Sequence, residues 1–113
     1  MRQILEKARD QIINYGLAHE AFSNSGLWNP NFSRSPMCLI GAISWAATGN
    51  PRNLRDPVAR QGWELLQEAL SEFSELRLVT WNDEKTYRPD GTWFYGRTIE
   101  EVVDLFDRAI AKL

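Results

Sequence analysis

Apolar residues at Ile4, Leu5, Ala8, Ile12 and Tyr15 recur at the 3.6-residue period and predict a first helix over residues 2–15. Gly16 stands where a left-handed residue would end it. Residues 22–36 hold Ser, Asn, Gly and Pro at a density that neither a helix nor a long strand accepts, so the pattern predicts a long loop. Phe22, Leu27, Trp28 and Phe32 lie inside that loop, where they serve to pin it to a core or to a partner. Residues 36–48 have almost no polar side and predict a central helix, with Ser35 as N-cap, Pro36 in the first helical position and Gly49 beyond the end. A third helix is expected from Pro57, capped by Asp56, with Val58, Gly62, Trp63, Leu65, Leu66, Ala69, Leu70 and Phe73 on its apolar stripe.

Residues 76–81 are rich in β-prone side chains and predict a short extended segment leading into Asn82-Asp83. Pro89-Asp90-Gly91 is a turn signal between aromatic arms, which predicts a small β-hairpin in residues 84–95. Thr98 and Glu101 have the spacing of a capping box, and Ile99, Val102, Val103, Phe106, Ala109, Ile110 and Leu113 form one side of a last helix. The expected architecture is therefore all-α: a compact four-helix domain, one unit spanning residues 1–113, with a small hairpin insertion. No repeat interrupts it.

Composition changes this picture at one point. Hydrophobic residues at 43% and charged residues at 25% are ordinary for a globular chain, but five tryptophans in 113 residues are not. Each carries a large apolar surface and an N–H that needs a partner when buried, so five imply a well-anchored core or an exposed aromatic contact surface. Phe22, Trp28, Phe32, Tyr87, Trp93, Phe94 and Tyr95 sit in the irregular regions, whereas Trp45, Trp63, Phe73 and Phe106 are expected in the core.

The net charge of −2 is spread without a basic patch, which disfavours a nucleic-acid reader. No apolar run approaches the ~20 residues of a membrane span, and charge interrupts residues 1–7 too soon for a signal peptide. Cys38 has no second cysteine to pair with, as expected of a reduced, cytoplasmic protein. No phosphate loop or metal-ligand spacing is present, so neither a cofactor nor a metal is expected.

Two constellations remain. Trp81-Asn82-Asp83 and Gly96-Arg97 bracket the insertion, and Arg97 is expected to act structurally, reaching Asp83 or loop carbonyls as a bidentate donor and closing the two ends. The same residues, with Trp81 as floor, also suit a pocket for a small polar molecule. Separately, Cys38 falls in the first turn of the central helix, where free N–H groups lower a thiol pKa. With His19 as base and Asp83 as orienter it would form a nucleophilic triad, the enzymatic alternative, in which case the chain is a small hydrolase or transferase. His19 alone reads as a surface or C-terminal capping residue.

Cys38-Leu39-Ile40-Gly41-Ala42-Ile43, then Trp81-Asn82-Asp83, then Gly96-Arg97-Thr98 with Glu101-Val102 and a closing amphipathic helix resemble the pattern of a small family of actinobacterial and phage proteins classed as a domain of unknown function. In that pattern Gly-Arg-Thr follows closely on Trp-Asn-Asp, whereas here residues 84–95 intervene. The resemblance implies an all-helical cytoplasmic protein, with a phage gene as one source, and supplies no activity. The functional expectation is a non-catalytic interaction or regulatory protein that binds a protein partner or self-associates, with Trp28, Trp81, Asn82, Asp83, Trp93, Tyr95 and Arg97 as its contact residues.

Overall fold

In the computed structural model, residues 1–19, 32–87 and 89–113 are described, with the backbone alone for Phe32, Thr86, Phe94 and Tyr95. Five α-helices lie among them: α1 (Arg2–Tyr15), α2 (Leu39–Thr48), α3 (Pro57–Leu70), α4 (Leu78–Asp83) and α5 (Ile99–Ala111). The fold is mainly helical. Lys85–Tyr87 (β1) and Trp93–Tyr95 (β2) pair antiparallel, Tyr87 opposite Trp93. This short ladder packs mainly on itself, and the helices make the core.

Helix α1 packs on α2 and α5, α2 on α3, and α3 on α5, so α2 lies among its neighbours as an apolar segment must. Leu5, Ile12, Leu39, Ile43, Leu66, Leu70, Leu105 and Phe106 are fully buried between them. Gly62 allows the closest approach of α3 to α2, because a Cβ there would stand 2.8 Å from Ile43 Cγ2. At the surface of the bundle, α5 begins with the complete Thr98/Glu101 capping box, and Asp56 caps α3 by accepting from the Ala59 N–H at 2.9 Å.

Several expectations are corrected. Helix α2 starts at Leu39, not 36, and its cap is Cys38, not Ser35. The reason lies in the preceding residues: Met37 N–H donates to the Gly16 carbonyl, and Ala18 N–H to the Met37 carbonyl, so Leu17 and Met37 form a parallel bridge before the helix begins. Gly16 keeps a positive φ of 102, but its ψ of 170 directs the chain toward that bridge in place of the left-handed helical cap expected. Residues 78–83 are helical, not extended. Leu78, Trp81 and Asn82 bury one side of that turn and a half, and Gln67 of α3 caps its start by accepting from the Leu78 N–H at 3.0 Å.

Among the described residues the helices accordingly number five, not the four expected. Phe73 and Val58, placed on the α3 stripe by periodicity, are half-exposed: Phe73 lies beyond the end of α3 at Leu70, and Val58 sits in its first turn. Trp45 and Trp63 are only partly buried, so of the four aromatic side chains expected in the core Phe106 alone is fully enclosed. Most of the 22–36 loop lies outside the described residues. Its end is a 3-10 turn, Phe32–Arg34, pinned by the buried side chain of Gln11, whose Nε2 donates to the carbonyls of Ser33 at 2.7 Å and Ser35 at 3.2 Å.

Candidate functional site

Asn82 is the centre of the corner that the sequence singles out. Placed by α4 with 1% of its surface exposed, its Nδ2 donates to the Ala18 carbonyl at 3.0 Å and to Asp83 Oδ1 at 2.8 Å. Its Oδ1 accepts from the Leu39 N–H, a first-turn donor of α2, at 3.4 Å. Its own carbonyl accepts from the Arg97 N–H at 2.9 Å. One residue therefore ties the exit of α1, the start of α2 and α4 through its side chain, and the far end of the insertion through its main-chain carbonyl. A buried side chain with every polar group engaged is a structural fastener.

Arg97 closes the same corner, but not against Asp83. Its Nε donates to the Trp81 carbonyl at 2.9 Å, its guanidinium pairs with Glu84, and its Nη1 reaches Glu101 at 3.4 Å. The change of partner follows from the helical conformation of 78–83: Asp83 is the last residue of α4 and turns to Asn82, while Glu84, already extended, faces Arg97. The guanidinium carbon lies 5.0 Å from the centroid of the Trp81 ring, a stacked cation–π contact. Trp81 is 4% exposed, and Phe73 meets it edge to face at 6.4 Å.

His19 is partly buried and bonds a loop carbonyl in place of a helix end. Its Nε2 is 2.9 Å from the Arg97 carbonyl, and its ring lies against Gly96, where a Cβ would be 2.0 Å from His19 Cδ2. Gly96 has φ 86 and donates its N–H to the Glu84 carbonyl at 3.0 Å. Backbone conformation and ring contact both require glycine there.

Cys38 is 7% exposed, and its Sγ accepts from the Gly41 N–H at 3.3 Å as the cap of α2. Burial pushes its pKa above the ordinary cysteine range; the Gly41 bond opposes that shift, and the negative charge of Asp83 adds to it. The helix start that would favour a thiolate is thus outweighed. Asp83 lies close enough to act on the thiol, whereas the His19 Nε2 is bonded to the Arg97 carbonyl. A thiol reagent is therefore expected to leave the native protein almost unlabelled and to react promptly in denaturant; rapid native labelling would rule out the enclosed, protonated state.

Trp28 and the side chain of Tyr95 lie outside the described residues. Trp93, in β2, is 57% exposed. Beside the clasp runs a groove of about 470 Å³, walled by Trp81, Glu84, Arg97 and Glu101 and by Phe73, Leu76, Asp104 and Arg108. Phe73, Glu84 and Arg108 were not legible as site residues; a helical reading of 78–83 would have pointed to Glu84. Among the described residues no group of three or more His, Cys, Asp or Glu is placed to hold a metal ion, and no helix is long and apolar enough to cross a membrane.

These features define a small, mainly helical protein whose polar corner is closed by an amide and an arginine. The chain belongs to a family of unknown function (DUF6197), whose family model matches residues 1–112. Neither the curated proteins nor the solved structures contain a match.

Proposed function

We propose that this chain is a non-catalytic cytoplasmic interaction protein whose contact element is the aromatic hairpin of residues 84–95, held in place by the Asn82–Arg97 clasp. The observation that carries this reading is the pair Tyr87 and Trp93. They are 63% and 57% exposed, and their rings meet edge to face at 5.1 Å and 67°. Large aromatic rings left in water and already fixed against each other are what interface anchors require, since little side-chain freedom is then lost on binding. The enclosed thiol of Cys38 supports the non-catalytic side of the reading. The phage or actinobacterial origin and the cytoplasmic setting rest on the sequence resemblance and on the single cysteine.

Trp93→Ala tests this. It is expected to change the unfolding free energy by less than about 1 kcal/mol, as for an exposed position. It should abolish either capture of a protein partner or concentration-dependent self-association in sedimentation. Unchanged association, or loss of the fold, would overturn the assignment of Trp93 to a contact surface.

A further inference from the structure

The groove beside the clasp begins where the proposed contact element leaves the helices, because Glu84 lines it and the next residue, Lys85, begins β1. Its volume of about 470 Å³ falls within the range of ligand-sized clefts. We infer that it receives a basic side chain, an arginine or lysine, from the partner protein; this names the partner's chemistry and rests on the reading of the chain as a binding module.

Charge decides the choice. Three carboxylates, Glu84, Glu101 and Asp104, face two guanidinium groups, Arg97 and Arg108. Arg97 is committed to Glu84, Glu101 and the Trp81 carbonyl, and its side chain is only 15% exposed. Arg108 donates from Nε to Asp104 Oδ2 at 2.8 Å and lies 5.0 Å from the Phe73 ring centroid. Among the described residues, Glu84 Oε2 and Asp104 Oδ1 accept no hydrogen bond, while their side chains are 36% and 60% exposed. An incoming cation would find these two acceptors open and an apolar wall, Phe73 and Leu76, for its stem. An anion would gain the remaining N–H groups of Arg108 only by lying beside three carboxylates, and like charges brought together in a cleft repel.

The test uses the full chain and three probes in an amide-resolved NMR titration: N-acetylarginine amide, the neutral isostere N-acetylcitrulline amide, and N-acetylglutamate α-amide. The arginine probe is expected to shift the amides of Ser74, Glu84, Arg97 and Asp104 saturably, with millimolar affinity, and the other two probes to shift none of them. Asp104→Lys removes an exposed carboxylate that is paired only along its own helix, so the fold should persist, while affinity for the arginine probe falls on the order of tenfold. Equal shifts with citrulline, preference for the glutamate probe, no shift with the arginine probe at its solubility limit, or undiminished binding by Asp104→Lys would each overturn the inference. The titration involves no residue of the Tyr87–Trp93 pair, so its failure leaves the Trp93→Ala result to stand or fall separately.

Discussion

Asn82→Ala is expected to destabilise the protein by about 3 kcal/mol, a large share of the ~5–15 kcal/mol that holds a domain of this kind folded. Truncation leaves the Ala18 carbonyl and the Leu39 N–H facing a cavity, and each buried polar group without a partner costs about 1–3 kcal/mol. The Leu39 bond is long at 3.4 Å and contributes at the lower end, while Asp83 loses the amide that donates to its carboxylate at 2.8 Å. Asn82→Asp separates the contributions. It keeps an acceptor for Leu39 but sets an oxygen against the Ala18 carbonyl, so it should be no better tolerated than alanine. The measurement is the denaturant midpoint at constant slope; a loss under about 1 kcal/mol would show that the amide is dispensable.

Gly96→Ala should be similarly costly for a different reason. A side chain at φ 86 costs roughly 1–2 kcal/mol in backbone energy, and the added Cβ, 2.0 Å from His19 Cδ2, forces the ring off the Arg97 carbonyl for about 1–3 kcal/mol more. Because the second part needs both residues, the double variant with His19→Ala is expected to recover it and leave the backbone part. The cycle should therefore be non-additive by more than about 1 kcal/mol. Additive losses would mean that the ring and Gly96 do not touch.

The elements whose signals are local were legible in the sequence. The apolar stripe of α1, the Asp56-Pro57 start of α3 and the Thr98/Glu101 box all depend on neighbours within a turn or two, and residue types there are decisive. What was lost depends on contacts distant in sequence. The start of α2 is delayed by pairing between Met37 and the exit of α1, and α4 exists because Gln67, eleven residues before Leu78, caps it from another helix. β-Prone residues in 76–81 then yield to tertiary packing. An extended segment gives no reason to prefer Glu84 to Asp83 as the partner of Arg97, and it makes Asn82 a local turn residue where the helix makes it a fastener. The unusual residue types at its ends mark the corner, but not its internal wiring.

The site follows the same division. Exposed rings at Tyr87 and Trp93 could be suspected from their place in an irregular segment. Phe73, by contrast, has the right spacing for the α3 stripe, and only the end of α3 at Leu70 turns it outward to the groove.

That Asn82 and Arg97 fasten the fold, leaving the segment between them as the surface for contact, is tested most directly by amide hydrogen exchange of the native protein. The amides of Gly96 and Arg97, bonded to the Glu84 and Asn82 carbonyls, should exchange as slowly as those of the buried helices, while those of Gly91 and Thr92 exchange far faster. Exchange at Gly96 and Arg97 as fast as at Gly91 would mean that the corner opens freely and fastens nothing.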